Sequence, residues 1–261
     1  MNNEILHDEL GDELYDAWRG NRMLDPLTER VPGISIDDAY RIQLRTIARR
    51  VEAGERHVGK KIGLTAPVVQ KMFGVDQPDF GHLLSGMSYS SGQTLSAARF
   101  IQPKAEGEIA FLLGRDLSGP GVTAAEVLAA TDFVMPCFEI VDSRIRDWQI
   151  KVQDTVADNG SSAAFVIGDR AISPQAIDLS TVGLVLEKNG ELVGTGAGAA
   201  SLGHPANAVA WLANALGRYG IPLKAGEVIL SGSLSVMFPV AAGDHIRMSL
   251  GQVGSASCRF D

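Results

Sequence analysis

The segment that most constrains this chain is an apolar run with two glutamates near its start. Residues 104–113 begin with the polar Lys104 and are apolar at every position from Ile109 onward. A half-exposed strand alternates apolar and polar residues, so an unbroken apolar run predicts a strand buried on both faces. Side chains alternate along a strand, so Glu106 and Glu108 lie next to each other on one face. The chain must therefore place two carboxylates near the start of a buried strand.

A third carboxylate follows in a similar setting. Glu139 is the only charge in the apolar run 134–141, and an isolated buried glutamate is rare unless it is paired. Neighbouring carboxylates repel each other, and desolvation adds to the unfavourable free energy. A cation shared by Glu106, Glu108 and Glu139 would remove both problems. A set of three carboxylates suits a hard ion, Mg²⁺ or Mn²⁺. The alternative for Glu106 and Glu108 is a solvated strand edge.

Composition limits the partners and the compartment. The 261 residues allow one large domain or a core with a smaller appendage. A formal net charge of -8 argues against nucleic acid or an anionic membrane as a partner. Cys137 and Cys258 lie in strand-like stretches and form no disulfide framework, which fits the reducing cytoplasm. No apolar run approaches the roughly 18 residues of a membrane span, and the polar, acidic N-terminus does not resemble a secretory signal.

Hydrophobic periodicity predicts a helical N-terminal segment followed by a β-rich core. Helices are predicted over 5–18, over 36–53 after an N-cap at Ser35, from a cap at Thr65 to Gly74, over 123–132 and over 205–219. Strands are predicted over 59–64, 99–102, 106–113, 134–142, 163–167, 181–187, 227–231, 244–250 and 253–260, with another after the Asn189-Gly190 turn. Residues 1–80 form a predicted N-terminal helical segment and 81–261 a predicted β-rich core, with one continuous domain as the alternative. This pattern does not favour a doubly wound α/β protein.

Several polar residues have both a chemical and a structural interpretation. Lys61, in a glycine-flanked apolar strand, is either a snorkelling surface lysine or a functional lysine beside the carboxylates. Asp79 lies in a stretch rich in turn formers. Arg146 could receive a substrate carboxylate or lie on a solvated face. His204, just before a helix, could bind an anion or cap the helix. The backbone around Ser233 could cradle a carboxylate.

Six motifs occur in order and together resemble a known family. They are 59–65 (GKKIGLT), 76–81 (DQPDFG), Glu106-x-Glu108, 143–148 (SRIRDW), 154–159 (DTVADN) and 202–205 (LGHP). Each motif alone is weak, but the six in register resemble the 2-hydroxypenta-2,4-dienoate hydratases, also called 2-keto-4-pentenoate hydratases. These enzymes act in aromatic meta-cleavage pathways and belong to the fumarylacetoacetate hydrolase superfamily. The resemblance runs from about residue 35 to the end of the chain.

This resemblance implies a fold and a set of site residues. The expected fold is α+β, with a mixed β-roll or barrel core of the fumarylacetoacetate hydrolase type and an N-terminal helical segment. The expected metal ligands are Glu106, Glu108 and Glu139, holding Mg²⁺ or Mn²⁺. Lys61 and Asp79 are expected to transfer protons beside the substrate. The candidates for substrate contact are Ser161, His204, Ser233 and Arg146.

The implied activity is metal-dependent hydration of 2-hydroxypenta-2,4-dienoate, or a close homologue, to 4-hydroxy-2-oxopentanoate. The resemblance also implies a homo-oligomer, and association with the decarboxylase of the same pathway. Three alternatives remain open: decarboxylation of 4-oxalocrotonate (2-oxo-3-hexenedioate), hydrolysis of a carbon–carbon bond in an acylpyruvate, and a non-enzymatic assembly role. The stretches 146–148 and 231–234 have the form typical of the hydratases rather than of the decarboxylases.

Overall fold

The computed structural model describes residues 3–261. Its α-helices are α1 Asn3–Arg19, α2 Leu27–Arg30, α3 Ile36–Glu52, α4 Pro67–Phe73, α5 Ala124–Ala130, α6 Val152–Ala157 and α7 Pro205–Gly217. Ser35 caps α3 as predicted, and its hydroxyl accepts a hydrogen bond from the backbone N–H of Asp38. The predicted cap of α4 at Thr65 is wrong, because that helix begins one residue later, after Ala66. None of the helices in this part of the chain is long and apolar enough to cross a bilayer.

Thirteen strands in the described residues form two mixed sheets. They are β1 His57–Gly63, β2 Asp79–Leu84, β3 Ser88–Ser90, β4 Thr94–Leu95, β5 Lys104–Leu113, β6 Thr131–Val141, β7 Ser162–Ile167, β8 Gly183–Lys188, β9 Glu191–Ala197, β10 Val228–Leu230, β11 Phe238–Pro239, β12 His245–Leu250 and β13 Gly254–Phe260. The larger sheet has the order β2-β1-β10-β5-β6-β7-β3, with β11 also paired to β5, and the smaller has the order β4-β13-β12-β8-β9. Over residues 3–261 both sheets remain open, so the α+β prediction is confirmed but the core is not a closed barrel.

The two sheets pack face to face through the centre of the larger one. Strands β12 and β13 lie against β6, and leucines of β8 lie against β5 at Gly107. A Cβ at Gly107 would lie 2.7 Å from Leu186 Cδ2 and 3.0 Å from Leu184 Cδ2. The close packing of the sheets therefore requires glycine at this position. The smaller sheet therefore covers the face of β5 at Gly107. The opposite face of β5 carries Glu106 and Glu108.

Two segments differ from the prediction for identifiable reasons. The predicted strand over 99–102 is a short 3₁₀ turn, Ala97–Arg99, and a following loop. The backbone N–H groups of Ile101 and Gln102 donate to the Asp142 carboxylate, at 2.9 and 2.7 Å, instead of to another strand. Conversely, the turn formers in residues 76–81 predict a loop, but Asp79–Gly81 begin β2, which pairs with β1 along its length.

The N-terminal third contributes to both helices and sheet. Helix α3 packs against α1 and α6. Its sequence periodicity predicts a buried stripe of Ile36, Tyr40, Leu44, Ile47 and Val51. Tyr40 and Ile47 are buried, but Val51 is 36% exposed. Strand β1 pairs in parallel with β10, so residues before and after position 80 share one sheet. The division of the chain at residue 80 stays a prediction.

Candidate active site

Strands β5 and β6 bring the three predicted carboxylates together. The strands pair antiparallel with Glu106 directly opposite Glu139, and Glu108 lies two residues further along β5. One carboxylate oxygen from each residue lies within 4.8 Å of the others. We call Glu106, Glu108 and Glu139 the carboxylate triad. The side chains of Glu108 and Glu139 are completely buried.

Three of the six oxygens of the carboxylate triad are buried without a hydrogen-bond partner. Glu108 Oε2 accepts a hydrogen bond of 2.7 Å from the backbone N–H of Gly232. Glu108 Oε1 and both Glu139 oxygens have no partner. Burial, followed by the charge of Glu139, raises the pKa of Glu106 to about 7 and the pKa of Glu108 well above its usual value. Burying carboxylates without hydrogen-bond partners is unfavourable unless they are paired with a positive charge. Carboxylate oxygens are also the ligands that a hard divalent cation prefers.

Lys61 extends from β1 toward the same carboxylates. Its Nζ lies 3.6 Å from Glu139 Oε2 and donates a hydrogen bond of 2.9 Å to the carbonyl oxygen of Gly160. Burial acts to lower the pKa of Lys61, but the charges of Glu139 and Asp79 outweigh it and raise the pKa above its usual value. Lys61 is therefore a buried ammonium group, and the snorkelling interpretation is wrong because its side chain is only 4% exposed.

Asp79 reaches this space from the neighbouring strand. It pairs with Gly63 across β1 and β2, is 3% exposed, and has an Oδ1 atom without a hydrogen-bond partner. Burial raises the pKa of Asp79, and the charge of Lys61 opposes that rise. A Cβ at Gly63 would lie 2.2 Å from Asp79 Oδ1 and 3.0 Å from Lys61 Nζ. Both polar groups therefore converge on the space that the missing side chain of Gly63 leaves open.

The Lys61 side chain is anchored by the backbone of a turn, Asn159-Gly160-Ser161, and the sequence did not indicate this contact. Asn159, Gly160 and Ser161 have consecutive positive φ angles of 59°, 58° and 56°. The Asn159 side chain accepts from the backbone N–H of His82 at 2.7 Å and donates to its carbonyl oxygen at 2.9 Å. Asn and Gly tolerate the left-handed region, so the Asn-Gly pair was a signal for a tight turn. It gave no indication that the carbonyl of Gly160 would receive Lys61.

Comparison with known proteins assigns the chain to a family. The family model described as "Fumarylacetoacetate (FAA) hydrolase C-terminal" matches residues 70–261. The chain belongs to the fumarylacetoacetate hydrolase family. Among its relatives in that family, the 2-hydroxyhexa-2,4-dienoate hydratase of Comamonas testosteroni is 53% identical over 262 residues, which cover 100% of this chain and 99% of the relative. A 2-hydroxypent-2,4-dienoate hydratase of Pseudomonas putida is 59% identical over 219 residues, 84% of this chain and 99% of the relative.

A solved structure supports the fumarylacetoacetate hydrolase fold over nearly the whole chain. The 4-oxalocrotonate decarboxylase from Pseudomonas putida G7, complexed with magnesium and adipate, superposes with a TM-score of 0.96. It is 37% identical, and the match covers 98% of this chain and 97% of that one. Another structure of the same enzyme is complexed with calcium and acetate. The structures of this decarboxylase thus contain a divalent cation, magnesium in one and calcium in the other.

The four predicted substrate contacts occupy different settings in this fumarylacetoacetate hydrolase fold. Ser161 is buried beside the lysine anchor, and its hydroxyl pairs with Thr155 at 3.0 Å. Ser233 follows Gly232, and its hydroxyl donates to the carbonyl of Ser235. His204 caps α7 by accepting from Ala206 N–H, at 3.1 Å, which is the structural alternative considered above. Arg146 is half-exposed and pairs with Asp25 at 3.1 Å, so the structure does not bring it to the carboxylate triad.

Gly63→Ala is expected to lower kcat while leaving metal affinity nearly unchanged. The added methyl group would overlap Asp79 Oδ1 and crowd Lys61 Nζ, whereas no atom of the carboxylate triad is among its nearest neighbours. Gly183→Ala is the matched control, because it adds the same group in a strand where nothing lies within 4 Å. Steady-state kinetics and calorimetric Mg²⁺ titration of both variants test this. Equal kcat in the two variants would remove the functional role of the space above Gly63.

Proposed function

We propose that this chain is a metal-dependent hydro-lyase that converts 2-hydroxypenta-2,4-dienoate, or a close homologue, to 4-hydroxy-2-oxopentanoate. The observation that carries the proposal is the convergence of Lys61 and Asp79 beside the carboxylate triad, in a chain 53% identical over its full length to a dienoate hydratase. A buried lysine and a buried aspartate next to a cation site provide general acid and base groups for adding water. The setting is the meta-cleavage degradation of aromatic compounds.

The carboxylate triad would hold Mg²⁺ or Mn²⁺. A divalent cation held there would supply positive charge that stabilises enolate-like charge on the substrate. The ammonium group of Lys61 offsets part of the remaining negative charge, since it lies 3.6 Å from Glu139. Complete burial of Glu108 and Glu139 excludes bulk water from that side of the site, which strengthens each of these electrostatic interactions.

Hydration requires two proton transfers to carbon and one addition of water. In the first stage the enol loses its 2-hydroxyl proton and C5 gains a proton, which gives an α,β-unsaturated 2-oxo acid with an electrophilic C4. In the second, water loses a proton as its oxygen bonds to C4, and C3 gains a proton. Lys61 and Asp79 are the groups that donate and accept these protons, since their polar atoms share the space above Gly63.

The candidate route for substrate is a cleft at the start of β5, the strand that carries Glu106 and Glu108. This cleft, of about 550 Å³, is bordered by Lys104, Trp148 and Met237. Lys104 precedes Glu106 by two residues on the same face of β5, and its Nζ lies 4.1 Å from the centre of the Trp148 ring. Ser161 and Ser233 adjoin the residues that hold Lys61 and Glu108, so they are the stronger of the four candidates for substrate contact.

The second candidate function is decarboxylation of 4-oxalocrotonate. The observation in its favour is the TM-score of 0.96 with a decarboxylase, although its 37% identity is well below that of the hydratases. A cation at the carboxylate triad would serve both reactions, so metal dependence cannot separate them. Incubation with 2-hydroxypenta-2,4-dienoate and with 2-oxohex-3-enedioate, followed by ultraviolet spectra and CO₂ measurement, does so. We expect loss of the dienoate chromophore without CO₂. CO₂ from the dicarboxylate with an unchanged dienoate would contradict the hydratase assignment.

Assembly and location are part of the same proposal. We expect a cytoplasmic homo-oligomer that associates with the decarboxylase of its pathway and binds neither nucleic acid nor membrane. Light scattering after size-exclusion chromatography, with and without that decarboxylase, measures both associations. A monomer at micromolar concentration, or two components that elute independently, would contradict the corresponding expectation.

A further inference from the structure

A second polar cavity lies on the opposite face of β1 from the carboxylate triad. Consecutive residues of a strand point to opposite faces, so Lys60 faces away from Lys61. His82 is the register partner of Lys60 on β2. Both residues border a cavity of about 650 Å³ whose walls include Leu44, Ile221 and Pro222. Neither Lys60 nor His82 takes part in the reaction proposed above.

His82 is the least satisfied polar side chain in this cavity. It is 2% exposed, and neither ring nitrogen has a hydrogen-bond partner. Its backbone is fixed on both sides by Asn159, and its ring packs edge-on against His57 and Phe80. Burial holds the pKa of His82 down at about 3, so the ring is neutral and presents one N–H donor and one acceptor. An unpartnered buried donor is unfavourable, and a ligand could satisfy it.

The charges around His82 favour an anion. Lys60 Nζ donates to both oxygens of Glu227, at 2.7 and 2.6 Å, which leaves one of its three N–H donors free. Lys224 also borders the cavity, so the two lysines exceed the one glutamate by one positive charge. The remaining walls are largely apolar. One anionic group beside an apolar body is the ligand chemistry that matches this lining.

We propose that this cavity binds a small monocarboxylate with an apolar body, whose carboxylate accepts hydrogen bonds from His82 and Lys60. The site is separate from the carboxylate triad and requires no metal ion. Binding there is therefore independent of whether the chain is a hydratase or a decarboxylase. The ligand would lie directly behind the two strands that carry Lys61 and Asp79.

The test uses benzoate as the probe and benzamide as its neutral counterpart of similar shape. Each is titrated calorimetrically into the full chain, both with Mg²⁺ and after treatment with EDTA. We expect saturable benzoate binding of equal affinity in both preparations, and weaker binding of benzamide because it lacks the charge. Absence of saturable benzoate binding would overturn the proposal. Loss of binding after EDTA treatment would also overturn it, because it would place benzoate at the carboxylate triad.

His82→Phe is the decisive variant, since it keeps a ring of similar shape and removes both nitrogens. These nitrogens have no partner within the described chain, so the variant should fold with an unchanged or higher thermal midpoint. Benzoate affinity should fall on the order of tenfold or more. His245→Phe, a half-buried position on β12, is the matched control and should bind benzoate normally. Equal benzoate affinity in the two variants, or a changed oligomeric state in His82→Phe alone, would overturn the proposal. The second outcome would identify the cavity as a subunit contact.

Discussion

Glu108→Gln is expected to lower the affinity for Mg²⁺ or Mn²⁺ by on the order of 100-fold or more, and activity with it. Replacing a residue that only hydrogen-bonds to a metal ligand already reduces metal affinity by roughly 10–100-fold, and Glu108 is itself a proposed ligand. The variant keeps the shape of the side chain, and its amide oxygen can still accept from Gly232 N–H, which donates to Glu108 at 2.7 Å. It removes one ligand charge from a buried cluster. Calorimetric metal titration measures the change directly.

Thermal stability gives a second readout of the same change. Without metal, Glu108→Gln removes one of three mutually repelling carboxylates, so its thermal midpoint should exceed that of the parent. With saturating Mg²⁺ the parent should gain stability and the variant should gain little. Glu191→Gln, at an exposed position on β9, is the control and should behave as the parent in both respects. Full activity of Glu108→Gln at trace metal would contradict the proposed metal site on the carboxylate triad.

Lys61→Met is expected to lower kcat by roughly 10²–10⁴-fold, the range typical of a proton-transfer group. Methionine fills a similar volume but cannot hold a proton or donate to the carbonyl of Gly160. Metal affinity should not fall, because the substitution removes a positive charge 3.6 Å from Glu139. The split between kcat and metal affinity separates this role from a purely structural one.

The matched control for Lys61→Met is Lys188→Met, which removes a lysine from a surface ion pair with Asp244. Both variants are compared by steady-state kinetics and by metal titration. A kcat for Lys61→Met within about threefold of the parent would reduce Lys61 to a packing role. If metal affinity fell together with kcat, the role of Lys61 would instead be to stabilise the carboxylate triad.

Local sequence pattern was sufficient for the strands that carry the carboxylate triad. The apolar runs around Glu108 and Glu139 required buried strands, and strand alternation placed Glu106 beside Glu108. These inferences depend only on residues within one strand. The register that sets Glu106 opposite Glu139 depends on how β5 and β6 pair across α5, and the local pattern within either strand does not predict that pairing.

The parts of the site that were not predicted depend on long-range contacts. Asp79 follows Pro78 and precedes Gly81, so local chemistry favoured a loop, but pairing with β1 makes it the first residue of β2. The anchor of Lys61 is a backbone carbonyl 99 positions away, and any residue type supplies a carbonyl. Similarly, the donor for Glu108 is the backbone N–H of Gly232. Backbone partners of this kind leave no side-chain signature in the sequence.

Isotope labelling tests the central claim, that this site adds water to a dienoate. In H₂¹⁸O, 2-hydroxypenta-2,4-dienoate should yield 4-hydroxy-2-oxopentanoate with ¹⁸O at C4. In D₂O it should carry deuterium at C5. Label at the 2-oxo oxygen is ignored, because ketones exchange it without a catalyst. Mass spectrometry of the borohydride-reduced product locates the label. Enzyme-dependent ¹⁸O at C4 is the predicted result, and a product without ¹⁸O at C4, or a dienoate that remains unconverted by the metal-loaded enzyme, would contradict the account.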